Sequence, residues 1–254
     1  MSTKSIQAIY PPGPPHFVGD GFRVHNFIPN RHGLEMQRMS PFIMMDYNAP
    51  FYLIVKSSGN TRASNGPTIN SSTGKWFNND STYWRRDQNG KWYNAGVRPD
   101  SLSKNDGYET LPGDVNAKNI LTVGAVSGIL SGYNKKEDVV ENSFSTWGPT
   151  DDGRIKPDIV AVGVSVLSTL STNDSSYGYS SGTSMSSPGV AGSLLLLQEL
   201  SYKLTNKPVR SATLKALAIH TANEAGTSPG PDYKFGWGLM NSSEAATTLN
   251  NALS

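Results

Sequence analysis

The sequence predicts an α/β fold built on a parallel sheet, and three observations carry that expectation. Three short runs, FYLIVK (51–56), ILTVGAV (120–126) and DIVAV (158–162), are almost continuously apolar and β-branched. Strands covered on both faces look like this, and parallel sheets are made of such strands. Three stretches with helical patterning follow: one starts near Ser184 and runs through SLLLLQELSYKL, one is SATLKALAIHTANEA (211–225), and one is NSSEAATTLNNAL (241–253). Ser211 is a candidate N-cap for the second helix, and Asn or Ser caps with an early glutamate open the third. Strands separated by long connections and then followed by helices argue for the α/β class.

Each further element is justified by composition. At 254 residues the chain is long enough to bury a sizeable core. The net charge of +2 includes no basic run dense enough for nucleic acid, so no nucleic-acid partner is expected. Cysteine is absent, which excludes disulfides and thiolate chemistry. The first residues contain no apolar leader-like region, and the longest apolar run, LLLL at 194–197, is far too short to span a bilayer. As written, the chain is expected in the cytoplasm and off the membrane. Residues 1–51 are rich in Pro, Met and aromatics. Residues 52–254 form the main unit, with a polar excursion at about 61–116 in which Asn89–Gly90, in NGKWYN, signals a hairpin.

Ser184 is the residue with the most chemistry around it. Gly182 permits a sharp turn, and Thr183 and Ser184 then enter a helix. A serine there sits among free backbone N–H groups at the positive end of the helix dipole, where an oxyanion would be stabilised. Taken alone, Gly-Thr-Ser is most often an ordinary N-cap.

The longer string SGTSMSSPGVAG (181–192) closely resembles the nucleophile signature of the subtilisin-like serine peptidases. YLIVKSSGN (52–60), AKNILTVGAV (117–126), SFSTWGPTDDGRIKPDIVA (143–161) and YKFGWGLMNSSEA (233–245) resemble further blocks of that family, in the family's order. The resemblance implies a doubly wound sheet and an endopeptidase acting on polypeptides. It makes Ser184 the nucleophile and Asn60 the side-chain donor of the oxyanion hole. No catalytic cofactor is implied; a structural calcium would fit the family, but no site for one can be identified. Val162 and Gly189 depart from the family's usual residues, which bears on packing and not on chemistry.

The family orders its catalytic groups Asp, His, Ser, with the first two upstream of the oxyanion asparagine. Only residues 1–59 precede Asn60 here, and no D-[ST]-G string lies among them. His16, His25 and His32 stand in contexts unlike the family's His-Gly-Thr, and His220 lies within the second predicted helix. None reads as a general base, and a serine hydroxyl without one is a poor nucleophile. Losing the catalytic histidine costs a subtilisin about a million-fold in turnover. The expected sheet is therefore partial, missing its N-terminal strands, and the isolated chain is expected to be inactive.

Residues 1–51, with IYPPGPPHFVGDGF and MSPFIMMDYNAP, resemble the opening of a pirin-type cupin protein, so this segment is expected to be irregular or β. The metal ligands of that family do not follow, and no metal site is expected. Both resemblances break near residues 47–53, as if two unrelated coding segments had been joined. Three functions stay open: a truncated serine endopeptidase, a non-catalytic remnant binding peptide or glycan through residues 71–98, and a chain completed by another polypeptide along the strand edge at FYLIVK.

Overall fold

A computed structural model describes residues 49–62, 108, 110–150 and 152–253, together with the backbone of four short strands between 67 and 94. The pirin-like segment 1–51 lies outside these residues up to residue 48, as do His16, His25 and His32. The central element is a three-stranded parallel sheet in the order β1 (Val55–Ser57), β6 (Leu121–Val126), β7 (Ile159–Val162). Its register aligns Val55 with Leu121 and Val123 with Ile159. In the polar excursion, β2 (Pro67–Ile69) pairs antiparallel with β3 (Trp76–Asn78), and β4 (Trp84–Arg86) with β5 (Trp92–Asn94). The last pair flanks the Asn-Gly hairpin signal. An antiparallel hairpin, β8 (Val166–Thr169) with β9 (Tyr177–Ser180), leads into helix α1 (Thr183–Thr205). Helices α2 (Ser211–His220) and α3 (Ser242–Leu253) complete the chain.

The pleat assigns alternate residues of the sheet to two cores. Leu121, Val123 and Ile159 face one side and pack against Val190, Leu194 and Leu197 of α1, Leu214 and Leu217 of α2, and Leu249 of α3. Val126 and Val160 face the other side, against Val139, Ala225 and Phe235 from loops. All six residues of β6 are buried, which explains why its sequence carries no polar alternation.

Three sequence-based bounds shift. The first strand begins at Val55 and not at residue 51, because the ladder starts where Leu121 N–H donates to the Ile54 carbonyl; Phe51 and Tyr52 are exposed. The second helix stops at His220 and not at 225, because Asn223 leaves to exchange backbone hydrogen bonds with Leu239. Arg210, and not Ser211, occupies its N-cap position, and Ser211 N–H donates to the Pro50 carbonyl.

The amino ends of the strands are tied by a buried polar knot. Lys156 Nζ donates to Asp158 Oδ2, to Thr122 Oγ1 at 3.0 Å and to the Ile120 carbonyl at 3.2 Å. Asp158 Oδ2 also accepts Thr122 N–H at 2.7 Å, and its Oδ1 lies 3.0 Å from Lys215 Nζ on α2. Burial pulls the Lys156 ammonium down to about 8, against the opposing pull of Asp158.

Candidate functional site

The site is built at the carboxyl ends of the same strands, the usual place for ligand crevices in open α/β sheets. β1 ends in Ser58, which is buried, and Gly59, whose φ of +119° suits glycine. Asn60 follows on the surface. β7 ends near Gly163, whose carbonyl accepts Gly182 N–H at 2.8 Å, so the start of α1 is pinned to the end of the sheet.

Thr183 then joins the two. Its N–H and its hydroxyl both donate to Asn60 Oδ1, each at 2.9 Å, and its Oγ1 accepts Gly59 N–H at 3.1 Å. Thr183 is 1% exposed, so these bonds form away from solvent. The backbone donor decides which end of the Asn60 amide faces α1: the oxygen is taken, and the Nδ2 group is left to donate elsewhere. A Cβ built on Gly182 would come within 3.1 Å of that Nδ2, and Gly182 has φ +157°. A glycine at this position therefore keeps the space beside the amide open. Ser184 stands exposed in the first turn of α1, next to Thr183. Its own N–H belongs to the helix's first turn, where intrahelical acceptors are lacking.

Residues beyond Asn60 brace the loop. Arg62 N–H donates to the Phe144 carbonyl at 3.2 Å and its Nη2 to the Asn142 carbonyl at 2.9 Å. The guanidinium lies 4.1 Å from the Trp147 ring centroid, and Thr146 N–H donates to the Gly59 carbonyl. Burial raises the Glu141 carboxyl beside Arg62, against the attraction of Arg62 and Lys234, and burial lowers the Arg62 guanidinium. A cavity of about 430 Å³ opens at Tyr108, Glu141, Tyr233 and Phe235; neither Ser184 nor Asn60 lines it.

The sequence-derived pair Ser184 and Asn60 is thus brought to one place from segments far apart in the sequence. His220 ends α2, whose N-terminus bonds at Pro50, and it shares no described contact with Ser184. What sequence reasoning missed is Thr183, the residue that couples the two strand ends; its only signal was adjacency to Ser184. Among the described residues no group of three or more His, Cys, Asp or Glu could hold a metal ion, and no helix is long and apolar enough to cross a membrane.

Comparisons with known proteins bear on the family and the fold. A family model described as the subtilase family matches residues 20–238. The chain is 43% identical over 84 residues to the C5a peptidase of Streptococcus pyogenes serotype M3, covering 33% of this chain and 7% of that protein. It is 41% identical over 76 residues to the minor extracellular protease Vpr of Bacillus subtilis, covering 28% of this chain and 9% of that protein. The chain therefore spans less than a tenth of these curated relatives. Among solved structures, the S218A mutant of the protease domain of PatA superposes with a TM-score of 0.53 at 17% identity, over 94% of this chain and 58% of that one, a likeness of fold alone. The family match begins at residue 20, inside the segment that resembles a pirin, and the pirin-type resemblance finds no support among the comparisons. Catalysis in this family requires no cofactor. With the signature at 181–192 and a family match across most of its length, this chain belongs to the subtilase family of serine peptidases.

Proposed function

We propose that this chain carries the nucleophile and oxyanion part of a subtilisin-like endopeptidase site. Ser184 Oγ attacks a peptide carbonyl, and the Asn60 Nδ2 group and the Ser184 backbone N–H receive the resulting oxyanion. The base that completes the site takes the Ser184 hydroxyl proton and passes it to the leaving nitrogen as the C–N bond breaks; the amine departs, an acyl group stays on Ser184, and water hydrolyses that ester to the free acid. The observation that supports this reading is the pair of bonds from Thr183 to Asn60 Oδ1, which turns the Asn60 amide toward the helix end that bears Ser184. Preorganised donors of this kind are worth about 10²–10³ in rate each.

Among the described residues the only histidine is His220, which has no described contact with Ser184, and in this reading the base and its carboxylate partner are supplied from outside them. In this reading the chain alone binds and labels but does not turn over substrate. Another polypeptide segment completes it along β1, the outermost strand of the described sheet. The join near residues 47–53 and the pirin-like origin of residues 1–51 belong to the same proposal, and resequencing across the join tests them. An extracellular ancestor is consistent with the relative named as an extracellular protease. The second reading, a non-catalytic peptide- or glycan-binding remnant, draws on the two antiparallel strand pairs that interrupt the main unit between 67 and 94.

The test is labelling by a fluorophosphonate probe. Slow labelling that vanishes in Ser184→Ala is expected. Labelling that persists in that variant overturns the role of Ser184, and none in a sample with a cooperative melt overturns any reactivity of the isolated chain.

A further inference from the structure

One segment, 142–147, holds the loop around Asn60 from both sides. Upstream, the Gly59 carbonyl accepts Thr146 N–H at 3.2 Å; downstream, the Phe144 carbonyl accepts Arg62 N–H, also at 3.2 Å. Only Asn60 and Thr61 lie between these anchors. Both bonds are at the long end of the N–H···O range, and Gly59 at φ +119° is a soft joint beside them. Thr183 takes the Asn60 amide oxygen, but only where the loop carries that oxygen within reach. Backbone pairing alone is a weak hold on the direction of the amide.

The Arg62 side chain adds a stronger anchor. Its Nη2 donates to the Asn142 carbonyl at 2.9 Å, a shorter and charge-assisted bond, and its guanidinium lies 4.1 Å from the Trp147 ring centroid. That ring is a fixed platform: Trp147 is buried, its N–H donates to Thr110 Oγ1 at 2.9 Å, and its carbonyl accepts Thr110 N–H at 2.9 Å. As a source of stability the arrangement is poor. The Arg62 side chain is 14% exposed, its ion pair with Glu141 is stretched to 3.9 Å, and its Nε has no hydrogen-bond partner among the described residues. A guanidinium so placed costs desolvation that these contacts repay badly. What it secures is position, two residues after Asn60.

Resting on the reading of Ser184 as nucleophile and Asn60 as oxyanion donor, we propose that Arg62 is a positioning residue of the oxyanion site. By clamping the loop onto the Asn142 carbonyl and the Trp147 ring it sets the direction of the Asn60 amide. It thereby sets the reactivity of Ser184 without touching the reacting atoms. The order of contacts is short: Arg62 fixes the loop, the loop delivers Asn60 Oδ1 to Thr183, and Nδ2 is left free to donate.

Arg62→Met removes the charge and the fork while keeping an apolar stem; Arg62→Lys keeps the charge and loses the planar fork. Two measurements on the full chain, made well below each variant's melting transition, test the clamp. The first is hydrogen exchange at single amides. Thr183 N–H, bonded to Asn60 Oδ1, is expected to exchange about tenfold faster in Arg62→Met, while Gly182 N–H, bonded to the Gly163 carbonyl, keeps the parent's rate. The second is fluorophosphonate labelling of Ser184. Arg62→Met should slow it about tenfold and Arg62→Lys by less, and Arg62→Met should add nothing once Asn60 is replaced by Ala. Unchanged exchange at Thr183, or equal acceleration at Gly182 and Thr183, overturns the clamp. Equal slowing of labelling by Arg62→Met in the parent and in Asn60→Ala overturns it as well. No labelling of the parent, with faster Thr183 exchange in Arg62→Met, overturns the reactivity of Ser184 in the isolated chain and leaves the hold of Arg62 on Asn60 standing.

Discussion

The two ends of the parallel sheet use one device for opposite purposes. At the amino end, Asp158 Oδ2 accepts the N–H of Thr122; at the carboxyl end, Asn60 Oδ1 accepts the N–H of Thr183. Each acceptor stitches segments distant in sequence by taking up a backbone donor that would otherwise be buried unpaired. At the amino end the remaining capacity is also spent internally, on Lys156 and Lys215, and Lys156 and Asp158 are 2% and 5% exposed. At the carboxyl end Asn60 and Ser184 stay on the surface while Thr183, which links them, is sunk. A polar cluster that satisfies itself holds structure; one that keeps a donor and a hydroxyl facing outward can act on a ligand.

The sharpest way to break this contrast is at Lys156. Lys156→Met leaves the buried carboxylate of Asp158 with Lys215 as its remaining cation and is expected to destabilise the fold by about 3–5 kcal/mol, read from denaturant midpoints. The pH dependence carries its own sign. Lys156 titrates at about 8 when folded and near 10.5 as a free side chain, so the unfolded chain holds more protons between those values. This group therefore opposes folding fully below pH 8, and its contribution to stability rises as pH climbs from 8 to 10.5. Denaturation series across that window should show a rising term in the parent chain that Lys156→Met lacks.

At the other end, Asn60→Ala should slow fluorophosphonate labelling of Ser184 by about 10²–10³-fold, while leaving the melting transition within a few degrees. A labelling rate equal to the parent's would remove Asn60 from the oxyanion site. Thr183→Val removes a buried hydroxyl bonded to both Gly59 and Asn60 and should cost about 1–2 kcal/mol, with slower labelling as well. Stability lost without any change in labelling would confine Thr183 to a structural role. The smallest shift in stability is expected from Ser184→Ala, within about 0.5 kcal/mol because the side chain is exposed, yet labelling should vanish.

Much of the carboxyl end was legible before any coordinates. The Gly-Thr-Ser turn, the strand ending in Ser-Gly-Asn and the unbroken apolar runs at 121–126 and 159–162 are local patterns, and local patterns follow from chirality, pleat and helix periodicity. The hairpin β8–β9 was passed over because its strands are four residues each and rich in Ser, Tyr and Gly, a composition shared with loops. The start of β1 was misjudged for a different reason: Phe51 and Tyr52 have strand character but no partner strand in the described register, and pairing decides where a ladder begins.

By itself, then, the amino-acid sequence determined the class of fold, the family and the identity of the two residues expected to act, because each rests on residue type within a short window. Tertiary structure alone decided that Thr183 couples Asn60 to the helix bearing Ser184. It also decided that Lys156 is consumed in a knot with Asp158, and that Tyr177 and Tyr179 of the hairpin stay open to solvent. Such roles depend on contacts across as many as 124 residues, as between Gly59 and Thr183, and on burial, which sets what a hydrogen bond or a charge is worth.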